Sequence, residues 1–188
     1  MVMYNLLISA SWVVLIAAWM LLGVRAKRSV RGRWRWPWEI GVRLAVFIMV
    51  LFAVRVLGVH RIRQYAANTN LIAGFVGAGL CACGVIFAVW ARVCLGRNWG
   101  MPMAEKADPE LVTAGPYVHV RHPIYTGILL AMFGSAVGQS VLWALPLLIA
   151  GPYFVYSARR EEGQMAERFP LQYPQYKKRT RMLIPFIL

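Results

Sequence analysis

Acidic residues are scarce in this chain. Seven Asp and Glu stand against 21 Lys and Arg in 188 residues, a formal net charge of +14. Charged residues make up only 15% of the chain and hydrophobic ones 60%, where a soluble domain has about 25% and 45–50%. An ordinary soluble domain is thereby excluded. Such a charge could serve nucleic acid, but basic residues grouped between apolar blocks suit membrane-flanking loops and anionic lipid. Cysteine is scarce too, with only Cys81, Cys83 and Cys94. These form no disulfide framework, and the C-x-C pair lacks the two further ligands a metal site would need. All three read as small packing residues, and no metal is expected. There is no internal repeat, no low-complexity linker and no G-x-G-x-x-G phosphate loop. No charge falls in the middle of an apolar block, which speaks against a transporter.

What is present comes in long apolar runs. Asn5 to Val24 is charge-free for twenty residues, enough to cross a hydrocarbon core of about 30 Å. Its start, MVMYN, is uncharged and its basic flank comes afterwards, unlike a signal peptide. The block 40–59 carries Arg43 and Arg55 near its ends, where both can snorkel to the headgroups. Leu71 to Ala91 is charge-free and sets Gly74, Gly77, Ala78, Cys81 and Gly84 at helical spacing, a small face that admits a neighbouring helix. Ile124 to Ala158 is charge-free for 35 residues, too long for one helix and short for two full spans. Gly138-Gln139-Ser140 is the natural turn, dividing it into about 15 and 18 residues. The second helix would run past the membrane through 159–168. The expected fold is all-α: a polytopic integral membrane protein of about five transmembrane helices, the last two forming a hairpin. Residues 1–91 would hold three spans, and 92–188 a core of cytosolic loop, hairpin and C-terminal tail.

Six basic residues fall in 25–39, four in 92–123, seven from 159 onward and two in 60–70. This bias puts the first three segments on the cytoplasmic side, the amino terminus outside and the carboxyl terminus inside, in a bacterial-type inner membrane. Trp34, Trp36 and Trp38 alternate with basic residues as interfacial anchors would.

Polar residues cluster in two places, both on that side. One is the 92–123 connection, which ends in GPYVHVRHPIYTG, Gly115 to Gly127. Gly115-Pro116 signals a turn. Pro123 suits the first turn of a helix, and His122 before it is pushed toward an extended, capping conformation. The N–H groups of that first turn suit a carboxylate or phosphate. Tyr125 lies in the turn, and Gly127 permits close approach. His122 taken alone could equally be an interfacial histidine satisfied by backbone. His119 reads as structural, Arg121 as a positioning or lipid-facing charge, and His60 falls on the opposite side. The other cluster, SARREEGQMAERF, Ser157 to Phe169, follows the last span. Its four consecutive charges lie about 100° apart on a helix, so one glutamate should face inward and the rest can be solvated. The hairpin should bring 117–125 and 157–165 together.

The order LVTAGPYVHVRHPIYTG, then about thirty apolar residues, then RREE and FPLQYPQYKKRTRMLIPFI, resembles the isoprenylcysteine carboxyl methyltransferase family, part of a wider group that includes phospholipid N-methyltransferases. LGRNW ahead of the loop fits as well. The resemblance covers roughly residues 92–188. It implies S-adenosylmethionine as cofactor, with S-adenosylhomocysteine as product, held at the cytoplasmic face. Carried over by position, the cofactor residues are Leu111, Val112, Thr113, Tyr117, His122, Pro123, Tyr125 and Glu162. Leu111, Val112, Thr113 and Tyr117 would flank the adenine. Glu162 would take ribose hydroxyls or the ammonium group, and His122 with the helix N-terminus the methionyl carboxylate. Arg159 or Arg160 would orient an acidic acceptor. The resemblance thus implies methylation of a carboxylate on a hydrophobic or lipidated acceptor within the bilayer. Displacement at a methyl group needs alignment and a dry site more than an acid or base. An amine acceptor, as on a phospholipid, would need a base such as His119, Glu161 or Glu162. A non-catalytic membrane scaffold and a reductase scaffold using a nicotinamide cofactor stay open.

Overall fold

The computed structural model describes residues 2–23, 67, 69–96 and 110–183. The block 40–59 with Arg43 and Arg55, the tryptophans at 34, 36 and 38, His60 and most of LGRNW lie outside the described residues. Every regular element among the described residues is helical: α1 Val2–Gly23, α2 Leu71–Leu95, α3 Pro123–Gly138, α4 Ala144–Arg168 and α5 Gln172–Arg179, with short 3-10 turns at Gly115–Val118 and Val141–Trp143. Three stretches, Met3–Leu22, Leu71–Leu95 and Val141–Arg168, are long and apolar enough to cross a membrane, and Pro123–Gly138 is a shorter apolar helix. The protein is a polytopic, all-helical membrane protein. The hairpin turn falls where expected: α3 stops at Gly138, and the Ser140 side chain caps the 3-10 turn by accepting from the Leu142 N–H. The two hairpin helices have 16 and 25 residues. The second is longer than its apolar length because its charged end stays helical.

The small face of α2 packs on α3, and the two run antiparallel. A Cβ added to Gly77 would sit 2.2 Å from the Gly138 backbone nitrogen, and one on Gly84 2.5 Å from the Gly127 carbonyl oxygen. On α3, a Cβ at Gly134 would meet the Cys81 nitrogen at 2.4 Å. Backbone thus lies on backbone along the pair, and glycine is required to permit it. Lipid tails are as apolar as leucine, so this close van der Waals contact is what favours the pair. Ser135 joins in: it donates to the Ala131 carbonyl at 2.8 Å and accepts from Trp12 Nε1 at 3.0 Å. Cys81 is buried at this seam and Cys94 is half-buried against Gly115, whereas Cys83 is exposed on the other side of α2, so the packing role expected of all three holds for Cys81 and Cys94.

α1 runs parallel to α2. Tyr4 packs over Gly74 near the start of α2, and the Leu22 carbonyl meets Arg92 near its end. Arg92 is fully buried, and its guanidinium donates to the Leu22 and Gly96 carbonyls, the latter at 2.8 Å. These are terminal carbonyls of α1 and α2, which the helices cannot satisfy themselves. The face that holds these helix ends is also where α3 begins and where α4 ends.

Candidate functional site

The chain approaches α3 through a constrained turn. Gly115 has φ 62°, and a Cβ there would lie 2.7 Å from Cys94 Sγ, so conformation and space both demand glycine. Tyr117, on the 3-10 turn that follows, is buried; its hydroxyl donates to the Ala91 carbonyl at 3.4 Å, and its own carbonyl accepts from the Tyr176 hydroxyl at 2.7 Å. Burial pushes the Tyr117 phenol far above its ordinary pKa, and burial raises Tyr176 to about 12, so both act as neutral hydroxyls.

His122 takes the expected cap position of α3 with Pro123 at N1, but with φ −124° and ψ 59° rather than the extended backbone the pre-proline position predicts. Its side chain makes no capping bond and faces α4 instead. Nδ1 lies 3.5 Å from Glu161 Oε2 and Nε2 3.7 Å from Glu162 Oε1. The second contact is ionic but too long for a hydrogen bond, and Nε2 is buried with no hydrogen-bond partner. Burial alone would lower this imidazole's pKa; the two carboxylates outweigh it, so His122 titrates above the ordinary histidine value. Tyr125 stacks on His122 with centroids 5.6 Å apart, and Phe154 stacks on Tyr125 at 4.5 Å. The Tyr125 hydroxyl donates to Glu161 Oε1 at 2.6 Å, and Ser157 Oγ reaches the same oxygen at 3.3 Å.

Glu162 is the inward glutamate, its side chain 7% exposed. Glu161, 100° around the helix, still reaches the imidazole, so the two carboxylates straddle one histidine. Arg121 is not lipid-facing. Its Nε donates to Glu162 Oε1 at 2.6 Å, and its NH1 donates to the Thr180 carbonyl and, at 3.4 Å, to that of Lys177. Lys177 Nζ holds the other Glu162 oxygen at 2.8 Å. The tail then runs beside 119–122: Arg121 N–H bonds to the Arg181 carbonyl, His122 N–H to Met182, and Arg181 N–H back to His119. His119 is exposed and takes part through its backbone, accepting from Arg181 and donating to the Pro116 carbonyl.

His122, Tyr125 and Glu162 thus come together directly, Pro123 is buried beside His122 in the first turn, and Tyr117 is joined to them through Tyr176, Thr180 and Arg121. Leu111 and Val112 are half-buried and Thr113 is exposed on the segment leading into the turn. Arg159 lines a cavity of about 350 Å³ with Glu162, Gly163, Tyr173 and Lys177. Arg160 is exposed and donates to the Tyr156 hydroxyl at 3.4 Å. Sequence reasoning missed Phe154, Ser157, Lys177 and Thr180. The first two could be found, since Phe154, Ser157 and Glu161 are spaced i, i+3, i+7 and so share one face of α4. Lys177 and Thr180 reach the site through tertiary packing alone.

These elements define a class: a multi-pass helical membrane protein that gathers a histidine, two carboxylates and an arginine at one membrane face. The chain belongs to the phospholipid methyltransferase family, whose model matches residues 72–172. Among curated relatives it is 32% identical over 101 residues to the protein-S-isoprenylcysteine O-methyltransferase of Schizosaccharomyces pombe, covering 52% of this chain and 43% of that protein. It is 33% identical over 91 residues to methanethiol S-methyltransferase 1 of Bradyrhizobium diazoefficiens, covering 44% and 28%. In fold it is similar to the eukaryotic intramembrane Ras methyltransferase, an isoprenylcysteine carboxyl methyltransferase, with TM-score 0.54, 20% identity, and 84% of this chain matched to 55% of that one. The chain thus spans less than half the length of both curated relatives.

Proposed function

We propose that the protein is a membrane methyltransferase that uses S-adenosylmethionine and transfers its methyl group to a carboxylate on a hydrophobic or lipid-attached acceptor. The observation that carries this reading is the buried His122 Nε2, left without a hydrogen-bond partner between two carboxylates at the start of α3. That donor set fits the cofactor. Glu161 and Glu162 suit a cationic ligand, and the first-turn N–H groups of α3, which have no acceptor inside their own helix, suit its carboxylate. When bound, the cofactor supplies an electrophilic methyl on a sulfonium.

The chain's own residues bind and align. His122 and the α3 terminus hold the carboxylate end, and Glu162 holds the ammonium or ribose end. Leu111, Val112, Thr113 and Tyr117 flank the base. The Tyr125–Phe154 stack keeps water from the site's membrane side, and a dry site favours a reaction in which opposite charges neutralise. Arg159, which shares a cavity with Glu162, is the better placed arginine to orient an acceptor carboxylate. The site side is then cytoplasmic, with the amino terminus outside, in a cytoplasmic membrane.

Calorimetry on the purified protein tests the site: S-adenosylhomocysteine binds the wild type, Glu162→Ala abolishes binding, and His122→Ala weakens it. Unchanged affinity in both variants sinks the assignment. A phospholipid amine is the second acceptor, favoured by the family's description and by the adjacent Glu161 and His122, which can relay a proton. Labelled cofactor separates the two. Methyl label released by base marks an ester, and label retained in lipid headgroups marks an amine.

A further inference from the structure

Glu162 holds two cations of different character. Arg121 is almost wholly enclosed, its side chain 8% exposed, and it is fixed a second time by the Thr180 carbonyl. Lys177 is 53% exposed, so its compact, strongly hydrated ammonium keeps access to water and can leave by side-chain rotation alone. The helix that carries it stays docked through buried Tyr173 and through the Tyr176 bond to Tyr117. Both carboxylate oxygens are already engaged, one by each cation. A cationic ligand group therefore does not meet a bare carboxylate there. It must replace a cation, and Lys177 is the one that can yield.

We infer that Lys177 is a displaceable counter-ion of Glu162, holding the place that the ammonium group of an α-amino-acid ligand takes, and thereby setting the affinity of the site. This rests on the cofactor reading above. Arg121 remains in both states as the permanent partner. Lys177 is a positioning residue, and its effect falls on binding rather than on methyl transfer.

The test uses the full-length protein in vesicles of neutral phosphatidylcholine, with S-adenosylhomocysteine as probe. Exposed ion pairs couple weakly, so Lys177→Met should bind about two- to fivefold more tightly than wild type, and Lys177→Arg, whose planar fork holds a carboxylate more firmly, should bind no more tightly than wild type. Salt adds a second signature. In the wild type one ion pair is broken as another forms, so affinity stays nearly flat with ionic strength, whereas in Lys177→Met it falls. Equal or weaker binding by Lys177→Met overturns the proposal. A double-mutant cycle with Lys177→Met and Glu162→Gln, read by thermal unfolding without ligand, must show coupling; additivity overturns the proposal independently of any ligand. No binding by the wild type overturns the cofactor reading and the displacement with it, while the cycle still reports whether Lys177 partners Glu162.

Discussion

Gly77 and Gly79 lie two residues apart on α2 and should respond oppositely to the same substitution. A methyl group at Gly77 would sit 2.2 Å from the Gly138 nitrogen, 2.3 Å from its Cα and 2.5 Å from the Gly134 carbonyl oxygen. All three are backbone atoms, so no rotamer change relieves them, and α2 and α3 must separate by about 1 Å or more to reach ordinary contact at about 3.5–4 Å. At Gly79 no described atom lies within 4 Å. Overpacking costs about 1–3 kcal/mol, and a backbone clash belongs at the top of that range. Alanine regains up to about 1 kcal/mol of helix propensity at either position. Gly77→Ala should therefore lose about 2 kcal/mol, and Gly79→Ala should be neutral or gain up to about 1 kcal/mol. Thermal unfolding in detergent, followed by tryptophan fluorescence, reads this as a drop of roughly 4–8 °C for Gly77→Ala only, at about 2–4 °C per kcal/mol. Equal midpoints for the two variants would refute the backbone-on-backbone account of this pair.

Three further outcomes follow from the site. Arg121→Ala leaves Glu162 with exposed Lys177 and the long contact to His122, and releases the Thr180 carbonyl. It should cost about 3 kcal/mol in the same unfolding assay, and Arg121→Lys should not rescue it, because a single ammonium cannot reach both acceptors; full rescue by lysine would refute the two-acceptor role. His122 titrates above its unfolded value, so its contribution is fully present below about pH 6.5 and is lost as pH rises through the raised folded value. The unfolding midpoint of the wild type should decline across that window relative to His122→Asn, and parallel profiles would contradict the pairing with Glu161 and Glu162. Tyr125→Phe removes the 2.6 Å bond to Glu161 but keeps the ring stack. It should lose about 1 kcal/mol of stability, whereas Tyr125→Ala should lose clearly more; equal losses would deny the stack its part.

Local signals carried much of this architecture. Pro123 announced the start of α3 and so placed His122 at its cap, because proline fits a helix only in its first turn, where its missing N–H costs nothing. Gly138-Gln139-Ser140 marked the turn, and the small residues of α2 marked the face that receives α3. What stayed hidden depends on segments far apart in sequence. No local pattern says that 180–183 will run beside 119–122, or that Arg121 will cross to Glu162 and share it with Lys177. Arg121 alone reads as one more basic residue at a membrane edge. Its role appears only once α4 and the tail enclose it. The pair Glu161 and Glu162 shows the same limit. Helical spacing predicts one inward carboxylate, and the place of His122 between them makes both count.

The brevity of α3 has a consequence for anything dissolved in the bilayer. Sixteen residues rise about 24 Å, against a hydrocarbon thickness of about 30 Å. Gly127 packs at the level of Gly84 and Ala88, so α3 begins roughly one turn short of the end of α2. The His122 cluster is therefore sunk beneath the level reached by its neighbours. A molecule anchored by a hydrocarbon chain could bring its polar end to this depth with the chain still in its leaflet. Withdrawing the chain would cost about 0.8 kcal/mol for each methylene exposed to water, and a floor set below the surface makes that withdrawal unnecessary.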